Sequence, residues 1–145
     1  MSIDREVDVK QLMVSSNAIA MLIDREIERG VESKRIIVAG FSQGGAVAYQ
    51  CALTYAKPLA GLLALSTYFA TQKIIQPTAE NSKVPVFIGH GTADPVVPEL
   101  LGRMANTKLI ELGYAVDYKT YAMEHSVCME EITDIGKWIQ AVFST

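Results

Sequence analysis

Long apolar runs are missing from this chain. None approaches the roughly eighteen residues that a membrane-spanning helix requires. Basic clusters are missing as well. The 13 Lys and Arg are interspersed with 16 Asp and Glu for a net charge of −3, so no stripe of positive charge marks nucleic acid as a partner. The first eight residues, Met1 to Asp8, are charged and lack the apolar core of a signal peptide. Cysteine is scarce, with only Cys51 and Cys128. The first lies in a helical pattern and the second close to the last histidine. Without an export signal they read as reduced thiols of a cytoplasmic protein rather than as a disulfide framework. Histidine is equally sparse. His90 and His125 are far apart and have no acids at ligand spacing, so neither marks a metal site. Internal repeats and low-complexity segments are absent.

What remains is 145 residues, half of them hydrophobic. That is enough for one soluble domain over residues 1–145 with a real core. Val9, Leu12, Met13, Ser16, Ile19, Ala20, Ile23 and Ile27 share one face at helical spacing, and Gly30 follows as a C-terminal cap. A strand is expected at about 35–40, then a helix at about 44–56. Ala60 to Leu65 reads as a second buried strand. Residues 66–83 are polar and read as a loop with room for a short helix. Val84 to Gly89 is a third strand, with Pro85 near its start, where a missing N–H is tolerated. A helix over about 97–112 ends at Gly113. Ala115 to Tyr121 alternates as a fourth strand, and Ile132 to Phe143 is a final amphipathic helix. Continuous apolar strands alternating with helices predict an α/β protein with a mostly parallel sheet of about four strands and helices on both faces.

In such sheets chemistry gathers at the carboxyl ends of the strands. The first strand runs into Gly40-Phe41-Ser42-Gln43-Gly44, a G-x-S-x-G sequence that a helix follows at once. Alone the motif is short enough to arise by chance. Between a strand and a helix it describes a sharp turn that lifts a serine hydroxyl out of the sheet, with glycines where a Cβ would collide. Asp94 follows the third strand, before Pro95, where an acid also serves to cap a turn. His125 follows the fourth. A serine hydroxyl needs a base within hydrogen-bond reach to become a nucleophile, and an imidazole titrates near neutrality. An acid then fixes the tautomer of that imidazole. The order serine, acid, histidine is that of the α/β-hydrolases. His90, at the end of an apolar strand, reads instead as bonding locally to shape the acid loop.

Together Gly40 to Gly45, Leu65-Ser66-Thr67-Tyr68, Gly89-His90-Gly91 with Asp94 to Pro98, and Tyr121 to His125 resemble the bacterial carboxylesterase and acyl-protein thioesterase (lysophospholipase-like) family. The resemblance runs over nearly the whole chain. It implies an α/β-hydrolase fold and hydrolysis of ester or thioester substrates, small molecules or acyl-proteins, through an acyl-enzyme on Ser42. It implies a triad completed by Asp94 and His125, with the Gln43 N–H as one oxyanion donor. Leu65, Ser66, Tyr68 and Val97 would lie near the substrate. No cofactor or metal is implied.

Two departures from the family qualify this reading. Its members are longer and carry an N-terminal section whose His-Gly-rich loop supplies a second oxyanion N–H. Nothing in residues 1–34 resembles that loop, so the chain is expected to correspond to the C-terminal two-thirds of the family domain. Glu124 stands before His125 where the family has glycine, and a carboxylate there could disturb the loop. Without its usual neighbour the first strand would expose an unpaired edge, which invites a homodimer or other self-association. An esterase or thioesterase is therefore the first reading. A catalytically impaired remnant or interaction module that keeps the triad is the second. A related chemistry such as dienelactone hydrolysis is the third and weakest, because those enzymes tend to carry cysteine at the place of Ser42.

Overall fold

A computed structural model describes residues 9–144. The charged segment from Met1 to Asp8 lies outside the described residues. Four strands, β1 (Ile37–Phe41), β2 (Gly61–Leu65), β3 (Val86–Gly91) and β4 (Val116–Tyr121), form one sheet. All neighbours are parallel and stand in the order β1-β2-β3-β4. Four helices accompany them: α1 (Val9–Glu28), α2 (Gln43–Thr54), α3 (Glu99–Glu111) and α4 (Met129–Phe143).

The strands alternate their side chains between two apolar layers. Val38, Leu62, Ala64, Val86 and Ile88 point into the larger one, with Ile23 of α1, Tyr49 and Leu53 of α2 and Leu109 of α3. Leu63 and Phe87 point into the smaller one, against Trp138 of α4. Helices thus cover both faces, which is why β2 and β3 are buried along nearly their whole length. β4 alternates between exposed and covered positions, as an outer strand does. β1 is hydrogen-bonded to β2, and its other edge has no strand beside it among the described residues.

Glycine ends two of the helices as the sequence predicts. Gly30 adopts a φ of 104° and Gly113 one of 95°. In each case the glycine N–H bonds three residues back and the next N–H bonds five back, to Ile27 and Glu26 in one turn and to Ile110 and Leu109 in the other. Only a residue free to enter the left-handed region closes a helix this way.

Three boundaries shift from expectation. The first strand starts at Ile37, because Ser33–Arg35 forms a 3-10 turn ahead of it. β3 starts after Pro85, whose carbonyl still accepts the Leu62 N–H at 2.9 Å, and it runs on through His90 to Gly91. α4 begins at Met129, almost a full turn before the expected Ile132. The 66–83 segment holds one 3-10 turn, Ala79–Asn81. It is anchored by the buried Asn81, whose amide donates to the Tyr55 and Lys57 carbonyls and accepts the Leu59 N–H.

Candidate active site

Ser42 stands where β1 turns into α2, with a φ of 58° and a ψ of −124°. A serine in this conformation is strained by about 1–3 kcal/mol and persists only where its surroundings hold it. Here its N–H donates to the Leu65 carbonyl at 2.9 Å, and its carbonyl accepts the Gly45 N–H at 2.9 Å and the Thr67 hydroxyl at 2.5 Å. The turn closes only because two side chains are missing. A Cβ on Gly40 would stand 2.1 Å from the Gly44 carbonyl oxygen, and one on Gly45 would stand 2.4 Å from Thr67. Gly44 has nothing within 4 Å of the corresponding point. The steric demand therefore falls on Gly40 and Gly45, not on both glycines of the G-x-S-x-G sequence. No local pattern in the sequence announces the Thr67 contact, because its partner lies 25 residues away.

Asp94 is buried in the loop after β3, at 7% exposure. One carboxylate oxygen accepts the Val96 and Val97 N–H groups at 2.9 and 2.8 Å. The other lies 2.7 Å from His125 Nδ1. Burial alone would raise its pKa, but the hydrogen bonds from His125, Val97 and Val96 outweigh burial and hold the carboxyl below its ordinary value. An ionised Asp94 accepts, so His125 carries its proton on Nδ1 and leaves Nε2 as an acceptor. That nitrogen is 3.1 Å from Ser42 Oγ, across 83 residues of sequence. The Phe41 ring packs 4.8 Å from the imidazole. The three residues thus form one continuous hydrogen-bonded chain, which can take a proton from the serine hydroxyl and hold the resulting imidazolium.

His90 is fully buried. Its Nε2 donates to the Val97 carbonyl at 2.7 Å and lies 3.7 Å from Asp94. Its ring fills the space beside Gly102 of α3. It shapes the acid loop, as its position at the strand end suggests.

The remaining site residues scatter more. Gln43 is exposed and opens α2, so its N–H is among those that a helix leaves unpaired at its start. Leu65 lends its carbonyl to Ser42 while its side chain packs with the Trp138 cluster on the α4 face. Ser66 is buried with a φ of 51°, and its N–H donates to the Gly89 carbonyl. Tyr68 is partly exposed. Val97 is buried and tied on both sides, its N–H to Asp94 and its carbonyl to His90. Glu124 is exposed, and its backbone carbonyl, not its carboxylate, packs over Gly91. A groove along α3, lined by Leu100, Arg103, Met104 and Lys108, contains none of these residues.

A parallel α/β sheet with this serine turn at its carboxyl edge is the fold of the α/β-hydrolases. Within that class the chain belongs to the phospholipase/carboxylesterase family, whose sequence profile matches residues 1–143. It is 38% identical over 140 residues to an acyl-protein thioesterase 1 of Neurospora crassa, covering 93% of this chain and 57% of that protein. It is 35% identical over 144 residues to the acyl-protein thioesterase 1 of Gibberella zeae, covering 96% and 61%. The crystal structure of Arabidopsis thaliana SOBER1 superposes with a TM-score of 0.86 at 32% identity, over 91% of this chain and 64% of that one. These relatives are eukaryotic rather than bacterial. The chain spans less than two-thirds of the length of each.

Proposed function

We propose that the protein is a serine hydrolase that cleaves carboxylic esters or thioesters through an acyl-enzyme on Ser42. The observation that carries this reading is the unbroken chain Ser42 Oγ–His125–Asp94. As Oγ attacks the acyl carbon, His125 Nε2 takes its proton. The oxyanion that forms faces the start of α2, where the Gln43 N–H and the helix dipole favour negative charge. Asp94 stabilises the imidazolium. His125 then gives the proton to the departing alcohol or thiol, and the same base activates water to release the acid.

The activity that names the fungal relatives, acyl-protein thioesterase, suggests an acyl-protein thioester or a smaller ester as the substrate class. Exposed apolar side chains adjoin each member of the triad in sequence: Phe41 beside Ser42, Val96 after Asp94 and Val127 after His125. They suit an apolar acyl group better than a charged one. Leu65, Ser66, Tyr68 and Val97 remain the candidate substrate-side residues, and of these Leu65 and Tyr68 keep partly exposed side chains. Two free thiols, Cys51 and Cys128, are in keeping with a reducing, cytoplasmic setting. Turnover of a short p-nitrophenyl ester by the purified chain, together with fluorophosphonate labelling that requires Ser42, is the test. Labelling that persists in Ser42→Ala would sink the reading.

A further inference from the structure

Outside the triad, the most unusual side chain is Glu131. It lies in the first turn of α4, three residues after the N-cap Cys128. It is fully buried, and neither carboxylate oxygen has a hydrogen-bond partner among the described residues. The carboxyl is wedged against the sheet. A Cβ on Gly89 would stand 2.2 Å from Glu131 Oε2 and 3.2 Å from Leu65, so Glu131 and Leu65 together fill the space that a side chain at 89 would need. This is the row of the sheet directly beneath the site. Leu65 pairs with both Phe41 and Gly89, and its carbonyl holds the Ser42 N–H. Gly89 precedes His90, which braces the acid loop. On the other side, only Ser126, Val127 and Cys128 separate His125 from α4.

The charged groups around Glu131 are few. On its own helix, Asp134 stands one turn further on. From β4, the Tyr121 hydroxyl donates to Asp134 at 2.8 Å and Lys119 lies 4.0 Å from the same carboxylate. The thiol of Cys128 adjoins this group. β2 and β3 bring the apolar Leu65 and Gly89 against the carboxyl, while His90 faces Gly102 of α3. Asp134 is thus served by Tyr121 and Lys119, and among the described residues Glu131 has no hydrogen-bond partner. A buried ion without a donor is costly enough that the group protonates instead. Burial first, and Asp134 second, push its pKa up to about 7.

We infer that Glu131 is a positioning residue, held as a neutral carboxylic acid that seats the start of α4 on β3, and that its ionisation loosens the adjoining loop carrying His125. The catalytic half of this inference rests on the hydrolase reading above. The seating itself does not. A folded-state pKa raised from 4.5 to about 7 means stability that is complete below pH 4.5 and is lost as pH rises through about 7.

The test measures melting temperature and ester turnover from pH 4 to pH 8 for the 145-residue chain and for Glu131→Gln, a neutral isostere. The wild type is expected to lose several degrees between pH 4.5 and pH 7 relative to Glu131→Gln. The variant's turnover at pH 8, divided by that at pH 6, is expected to exceed the wild-type ratio several-fold. Parallel melting curves would overturn the seating. Divergent melting curves with identical turnover profiles would overturn the link to His125. Should Glu131→Gln fail to fold, Asp134→Asn serves: removing the neighbouring charge should move the wild-type loss to lower pH, and an unmoved loss would overturn the inference. Should neither protein turn over ester at any pH, the hydrolase reading fails. Line broadening of the His125 ring signals as pH rises through 7, in the wild type but not in Glu131→Gln, then decides the link.

Discussion

Single residues at the site carry separable expectations. Ser42→Ala should abolish both ester turnover and fluorophosphonate labelling, read by steady-state assay and gel fluorescence. Asp94→Asn should lower turnover by about 10⁴ through the wrong imidazole tautomer, and His125→Ala by a comparable factor. His90→Ala should act on stability instead. It leaves the Val97 carbonyl unpaired, at a cost of about 1–3 kcal/mol in a denaturant melt, with turnover largely kept. Asp94 also sets an acid limit. Its depressed pKa gives stability that is present above the unfolded value of 3.8 and is lost as pH falls below it. Acid unfolding of Asp94→Asn should therefore show a shallower pH dependence than the wild type. Ser42, Asp94 and His125 were legible in the sequence because each follows a strand end. Glu131 was not, because an acid in the first turn of a helix ordinarily reads as a favourable charge near the dipole. Only the packing of α4 on β3 buries it.

At the scale of elements, the turn between β1 and α2 makes the sharpest prediction. Gly40→Ala forces a Cβ into the Gly44 carbonyl and should destabilise the chain by about 1–3 kcal/mol or more, with loss of labelling at Ser42. Gly44→Ala meets open space within a helix, where alanine is the better residue, and should leave the melting temperature unchanged or slightly raised. A motif read as two equivalent glycines thus divides into one that is required and one that is not. The helix ends were easier to read. Gly30 and Gly113 announce their turns locally, since a left-handed residue closing a helix is a property of the backbone itself.

The whole molecule is a four-stranded parallel sheet whose first strand keeps one open edge among the described residues. Exposed Ala39 lies on that strand, and exposed Phe41 ends it. Unpaired edges of this kind pair with other chains unless charge or cover prevents it. The 145-residue chain, prepared alone, is therefore expected to self-associate, as measured by light scattering. Ala39→Lys should shift it toward monomer by placing a charge on the edge. A wild-type monomer at high concentration would show that the edge is covered.

The alternation of strand and helix, the parallel sheet with two covered faces and the three strand-end residues were all determined by the sequence, because apolar periodicity and local turn chemistry act over a few residues. The family resemblance added the likeness to esterases and thioesterases. Folding decided what depends on distant partners. It brings His125 to Ser42 across 83 residues, and it gives Thr67 the task of holding the serine turn. It sets the Leu65 carbonyl beneath Ser42 and ties Val97 between Asp94 and His90. Finally, it places Glu131 where no donor among the described residues reaches its carboxyl. None of these contacts has a local signal, because each is set by which faces of the sheet and helices meet, and that is a property of packing rather than of any segment.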